Sequence, residues 1–145
     1  MDELETGLRH RLKRVVKQIS EQHRQLVPLR EELRRALEDG GASGEALARL
    51  DHYRGAIEAH FELEVEVFFP AIHGLHPEWS RELGALEGEH VGLRQQLEAL
   101  RAGLEDGDGG DPRRALEAFV AQLGEHEGRE ERLVSRLAGP APGGS

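Results

Sequence analysis

Four segments of this 145-residue chain carry apolar residues at alternating steps of three and four, and glycine- and proline-rich breaks separate them. The clearest run is in the third segment, with leucines at Leu83, Leu86, Leu93, Leu97, Leu100 and Leu104. Such a seam is typical of amphipathic helices that pack side by side. The breaks at 39–44, 70–77 and 107–112 predict helices over roughly residues 4–38, 45–69, 78–105 and 112–137.

Short connections between successive helices make sequential neighbours antiparallel. We therefore predict an all-α fold, an antiparallel up-down-up-down four-helix bundle. The composition agrees, because Leu, Ala, Glu and Arg dominate and aromatic residues make up only 4% of the chain. We expect one domain over residues 1–138, followed by a disordered tail over 139–145 that is rich in Gly and Pro.

Charge and composition exclude several classes of function. The chain has 28 acidic and 19 basic residues, which excludes a general phosphate-backbone binder, so we expect no nucleic acid partner. The absence of cysteine excludes disulfides, thiolate metal sites and a cysteine nucleophile. No apolar run approaches the ~20 residues that span a bilayer, and the first residues do not resemble a signal peptide. We therefore expect a cytoplasmic protein without a membrane partner.

Six polar residues occupy seam positions where an apolar residue would be expected. Each helix places one histidine on its inward face near its middle, and the second and fourth helices add a glutamate four residues later. These residues are His23, His60, Glu64, His90, His126 and Glu130. Because a helix rises ~1.5 Å per residue, counting from the helix ends predicts that the four histidines lie in one layer across the bundle.

The spacing of these residues also indicates an internal repeat. His23 and His90 are 67 residues apart, and His60 and His126 are 66 apart. Both members of the second pair begin an H-x-x-x-E sequence. The chain thus resembles two related helical hairpins packed about a pseudo-twofold axis, which would create two similar half-sites.

Four imidazoles and two carboxylates in an apolar core need an explanation. Burying an unpaired charge costs several kcal/mol, and coordination to a metal ion removes that cost. Imidazole and carboxylate ligands suit iron, zinc or manganese. In the simplest division, one ion binds the histidines of the first two helices and a second ion binds those of the last two. Both glutamates would then bridge the ions.

These residues resemble the hemerythrin family, specifically the hemerythrin-like HHE cation-binding domains, over about residues 10–137. The most specific piece is the run from His60 to Pro70, which is similar to the family's H-x-x-x-E-x-x-x-[LF]-F-P sequence on the second helix. Residues 126–133 look like its counterpart on the fourth helix. His23 and His90 match the ligands of the first and third helices.

The resemblance implies a non-haem di-iron centre, with two iron ions (Fe²⁺/Fe³⁺) joined by carboxylate and oxo or hydroxo bridges. It implies that the protein binds, senses or reacts with dioxygen, peroxide or nitric oxide, or takes part in iron handling. Enzymatic turnover would be at most a weak activity of the peroxidase or oxidase type. We expect a monomer or a weak homodimer.

The third helix departs from the pattern of the oxygen-carrying members, which supply two histidines four residues apart. Here the positions four residues from His90 are Leu86 and Arg94. We expect Glu87, three residues before His90, to supply the missing donor. The carboxylate of the fourth helix follows its histidine by four residues rather than five. This variant resembles the bacterial and regulatory HHE branch.

Three alternatives stay open at this stage. A ferritin-like oxidase would need two E-x-x-H pairs, and only Glu87 with His90 forms one. A mononuclear zinc protein would use part of the same residues. A metal-free helical interaction module would bury the six residues as a polar network.

Overall fold

The computed structural model describes residues 2–39, 44–107 and 110–138, and helices account for nearly all of them. The elements in chain order are α1 (Glu3–Glu38), α2 (Gly44–Leu63), a π-helical turn (Glu64–Phe68), α3 (Phe69–Leu75), a 3₁₀ turn (Pro77–Trp79), α4 (Ser80–Asp106) and α5 (Pro112–Ala138). The described ranges contain no β-strand. They also contain no helix that is both long enough and apolar enough to cross a bilayer.

The helices form a four-rod bundle. α2, the π-helical turn and α3 follow one another without a break and together make the second rod. α1 packs against the second rod and α5, while α4 packs against α5 and the second rod. The predicted all-α four-helix bundle is confirmed. The residues of the predicted tail, 139–145, lie outside the described ranges, so its disorder stays a prediction.

Two apolar core clusters fill the bundle, one towards each end. One cluster includes Leu33, Tyr53, Leu97 and Phe119, and the other includes Val15, Phe68, Ile72 and Leu133. In each rod, the polar residues of the seam lie at or beside the point where side chains of one cluster give way to those of the other. The fold therefore carries a polar layer near mid-height, with well-packed apolar side chains above and below it.

The second rod differs from the sequence prediction, which ended this helix at residue 69. The helix continues to Leu75, and Pro70 lies in the first turn of α3. In a regular α-helix the Pro70 ring would crowd the carbonyl of Glu66, four residues earlier. The π-helical turn immediately before it, where the Phe69 amide bonds to the Glu64 carbonyl, widens the backbone at this point. The chain thus accommodates the proline without ending the rod.

The ends of the other rods follow their local sequence. The Asp111 side chain accepts a hydrogen bond from the Arg113 amide at 3.0 Å, and Pro112 occupies the first helical position of α5. α4 ends at Asp106 and is followed by the capping residue Gly107, whose φ of 76° is in the left-handed region that favours glycine. Both ends therefore follow from residue types that favour the start or the end of a helix.

Candidate metal centre

All four rods contribute side chains to the polar layer. His60, His90, His126, Glu64 and Glu130 are each at most 2% exposed. The fourth histidine, from α1, is less enclosed, with 21% of its side chain exposed. The structure therefore brings together the six residues that interrupt the apolar seams of the sequence.

Glu64 lies at the centre of the layer. Its Oε1 atom is 2.7 Å from His90 Nε2 and 3.2 Å from His126 Nε2. Its Oε2 atom is 2.9 Å from His60 Nε2. One carboxylate thus contacts imidazoles from the second, third and fourth rods. From this position, the Glu64 carboxylate faces histidines on both sides of the bundle.

Glu130 is as deeply buried but much less well satisfied. Its Oε2 atom is 3.3 Å from His126 Nε2, without the geometry of a hydrogen bond. Among the described residues, both oxygens of Glu130 and the Oε2 atom of Glu64 lack a hydrogen-bond partner. Leaving such groups unpaired in a core costs about 1–3 kcal/mol each, and more if they are charged. Carboxylate oxygens with no protein donor fit a bound cation.

The donor atoms form two overlapping groups. One group consists of His23, His60, Glu64 and Glu130, and the other of Glu64, His90 and His126. Within each group the donor atoms lie within 4.8 Å of one another. Metal–ligand bonds of about 2.0–2.2 Å place opposite donors about 4.2 Å apart, so either group has the size of a metal site. Glu64 belongs to both groups and would link two ions.

The two carboxylates have opposite proton affinities. Burial acts to raise the pKa of Glu64, but the three surrounding imidazoles outweigh it and hold the pKa well below its ordinary value. Burial raises the pKa of Glu130 to about 9, and the neighbouring Glu64 carboxylate adds to the rise, while His126 opposes it. Of the two carboxylates, Glu130 is therefore the one that more readily keeps a proton. A cation that binds Glu130 must displace that proton.

Neighbouring side chains hold the imidazoles in place. The Nδ1 atom of His60 lies 2.8 Å from the side-chain oxygen of Gln22, and the Nδ1 atom of His126 lies 2.6 Å from Glu89 Oε1. Because Nδ1–H donates outward in each case, Nε2 is the ring atom directed into the layer, and it can bind a metal ion once it carries no proton. These contacts leave both rings oriented for coordination.

The remaining two histidines have different neighbours. His23 Nε2 lies 2.9 Å from Glu127 Oε2 and 3.1 Å from His60 Nε2. The His90 ring stacks on Phe61, with ring centroids 3.9 Å apart and planes inclined by 9°. The His23 ring is thus held by the Glu127 carboxylate at the rim of the layer, and the His90 ring by the apolar face of Phe61 in the core.

These four supporting residues were not predicted from the sequence, although a signal was present. Gln22, Phe61, Glu89 and Glu127 are each the chain neighbour of a layer histidine. A helix turns roughly 100° per residue, so a neighbour of an inward-facing residue is directed at the adjacent helix. Polar residues next to the histidines were therefore candidates for hydrogen bonds to the histidine of the next rod.

Glu87, which was expected to supply a donor beside His90, lies outside the polar layer. This residue is exposed on α4 and belongs to neither donor group. Its side chain starts one turn before His90 and is directed towards solvent, so the polar layer gains no donor from it. The group around His90 and His126 therefore has three donors, against four in the other group. The other four histidines also lie away from the layer: His10, His52 and His73 are exposed, and His76 is partly buried beside Trp79.

A cavity of about 260 Å³ reaches the layer between α1 and α5. His23 and Glu130 line it together with apolar side chains that include Val16, Ile19, Phe68 and Val134. The cavity connects the four-donor group to the surface, and most of its lining surface is apolar.

A helical bundle with a buried layer of histidines and carboxylates defines a cation-binding class of protein. Residues 14–138 match the family model described as the hemerythrin HHE cation binding domain. The chain therefore belongs to the hemerythrin family of HHE cation-binding domains, as its resemblance implies. No curated protein matches the chain, and no solved structure matches it.

Proposed function

We propose that this protein holds two iron ions in the polar layer and binds, senses or reacts with dioxygen, peroxide or nitric oxide. The observation that carries the proposal is Glu64, a buried carboxylate shared by two groups of donor atoms. Histidine and carboxylate donors suit iron among the common metals. When bound, iron would supply a redox-active centre that takes up such small molecules.

The residues around the layer would control what reaches it. The cavity between α1 and α5 is lined mainly by apolar surface, with Ser20, Glu131 and Ser135 among its polar residues, and it reaches His23 and Glu130. Its size and lining favour small uncharged molecules over charged metabolites. Glu130, whose oxygens have no protein partner among the described residues, supplies an acceptor and a proton site at the inner end. Access, orientation and proton exchange would thus depend on this side of the bundle.

Iron content and an optical spectrum test the proposal. The full-length protein should be stripped with chelator, loaded with Fe²⁺ without oxygen and desalted. We expect about two iron ions per chain and, after exposure to air, near-ultraviolet absorption from ferric iron. His60→Ala should lose most of this signal, because His60 is a fully buried member of the four-donor group.

His52→Ala is the matched control, because His52 lies on the same helix but is exposed. Iron content should stay at the level of the unmodified chain in this control. An unmodified chain that retains no iron, or a His60→Ala variant that retains all of it, would contradict the proposal.

A single-ion protein is the second candidate. The group of Glu64, His90 and His126 alone provides two imidazoles and one carboxylate, the ligand set of many catalytic zinc sites. One zinc ion per chain after loading with mixed metals would favour this form. The ferritin-like alternative is less consistent with the geometry, because Glu87 of its single E-x-x-H pair is exposed.

The proposal includes a cytoplasmic location and a monomeric or weakly dimeric state, both expected from the sequence. Any turnover of peroxide would be weak, as the resemblance to the family implies.

A further inference from the structure

The two hydrogen-bonded histidines have supports of different chemistry at matched positions. Gln22 and Glu89 are 67 residues apart, the same interval that separates His23 from His90. Each accepts a hydrogen bond from Nδ1 of the histidine on the next rod, at 2.8 Å for Gln22 and 2.6 Å for Glu89. One half-site is therefore supported by a neutral amide, and the other by a carboxylate.

An arginine reinforces only the second of these supports. Arg129 NH1 donates to Glu89 Oε2 at 2.8 Å, which leaves Glu89 Oε1 on His126. The position 66 residues earlier in the first hairpin is Leu63, which has no charge to offer. A chain of guanidinium, carboxylate and imidazole thus exists in the second half-site and has no counterpart at the matched position of the first.

The charged hydrogen-bond acceptor, Glu89, belongs to the donor group that has fewer donor atoms. His126 belongs to the group with three donors and one carboxylate, whereas His60 belongs to the group with four donors and two carboxylates. A carboxylate that accepts from Nδ1–H raises the basicity of the ring and strengthens the bond that Nε2 forms to a metal. An amide acceptor orients the ring but adds no charge.

We propose that Glu89 is a positioning residue that enables the three-donor group to hold its metal ion. The inference rests on the proposed function, because it assumes that both groups bind metal. The inference adds that the two donor groups reach similar metal occupancy by different means. The four-donor group has an extra carboxylate ligand, and the three-donor group has a charged hydrogen-bond partner for one of its histidines. Glu89 acts through His126 and does not contact the ion.

A purely structural role for Glu89 predicts something different. Glu89 and Arg129 join α4 to α5 at the surface, with side chains 28% and 44% exposed. Under that reading, loss of the ion pair would affect stability alone, and removing either partner would have the same result. The two roles can therefore be separated by comparing the partners.

The experiment titrates the metal-free, full-length protein with Zn²⁺, followed by calorimetry and by metal analysis after dialysis. The unmodified chain should bind two ions. Glu89→Gln keeps the size and the hydrogen-bond acceptor but removes the charge, and one of its two sites should weaken about 10- to 100-fold. Arg129→Gln breaks the same ion pair but leaves the carboxylate on His126, so both of its affinities should stay within about threefold.

Gln22→Glu is the reverse exchange in the first half-site, and it should tighten one site about tenfold or more. Two unaltered affinities in Glu89→Gln, or equal losses in Glu89→Gln and Arg129→Gln, would overturn the inference while leaving the proposed function in place. An unmodified chain that binds no Zn²⁺ and no Fe²⁺ would overturn both.

Discussion

The two H-x-x-x-E turns have the same spacing in the sequence and very different surroundings in the fold. Glu64 is the first residue of the π-helical turn and lies close to three imidazoles. Glu130 lies within the regular α-helix α5, and both of its oxygens lack a hydrogen-bond partner among the described residues. The comparison shows that equal spacing fixes which face a residue occupies, whereas the neighbouring rods determine which atoms it meets.

The residues that follow the two histidines differ in the same way. Phe61, after His60, is fully buried and stacks on His90, whereas Glu127, after His126, is at the rim beside His23. The two half-sites are therefore related by position but not by chemistry. One consequence is that substitutions at matched positions of the two half-sites should change stability and metal binding by different amounts.

The largest difference is expected between Glu64→Leu and Glu130→Leu in metal-free protein. Glu64→Leu removes the shared partner of three buried imidazoles and should lower the free energy of unfolding by about 3–5 kcal/mol. Glu130→Leu removes two unpartnered oxygens and should raise it by about 1–3 kcal/mol. Urea unfolding in chelator measures both, and Glu62→Leu, on the exposed side of the second rod, should stay within about 0.5 kcal/mol. Changes of the same sign in the two variants would contradict the contrast.

A similarly large effect is expected at Phe61, with a small one at its counterpart. Phe61→Ala leaves a cavity beside His90 and should cost about 3–5 kcal/mol of unfolding free energy. Glu127→Gln loses only a partly exposed contact with His23 and should cost less than about 1 kcal/mol. Thermal unfolding followed by circular dichroism tests the pair. Similar costs for the two substitutions would show that the half-sites are more alike than the contacts indicate.

Metal addition should separate the two donor groups by a smaller amount. A metal ion at 100 times its dissociation constant stabilises the folded state by about 2.7 kcal/mol per site, which is roughly 5–10 °C in a domain of this size. The unmodified chain should gain two such increments with Mn²⁺. Glu130→Leu should gain one, and Glu64→Leu none. Full gain in Glu64→Leu would show that the shared carboxylate is not a ligand.

Much of the fold could be predicted because the apolar seams are long and regular. Steps of three and four along Leu83 to Leu104 are compatible only with a helix whose one face is buried, and short breaks leave antiparallel packing as the simple solution. The inward histidines could be found for the same reason, since they interrupt a pattern that is otherwise apolar. That these residues bind metal stays a prediction.

The rest depended on contacts between rods, which periodicity does not encode. Pro70 predicted the end of a helix because the widened turn before it has no sequence signal of its own. Glu87 was expected in the layer because it lies one turn from His90, yet its side chain is exposed. The different supports of His60 and His126 required the distances to Gln22 and Glu89.

The π-helical turn makes the second rod unequally tolerant of length changes. A π-helical turn holds one residue more than an α-helical turn, so loss of one residue between Glu64 and Phe69 would let the turn close into a regular α-helix and leave Ile72 in its core cluster. Loss of one residue between Leu50 and Ile57, in the regular helix, would instead rotate everything beyond it by roughly 100°. The remaining cost of the first deletion would fall on Pro70, whose ring needs the wider backbone before it.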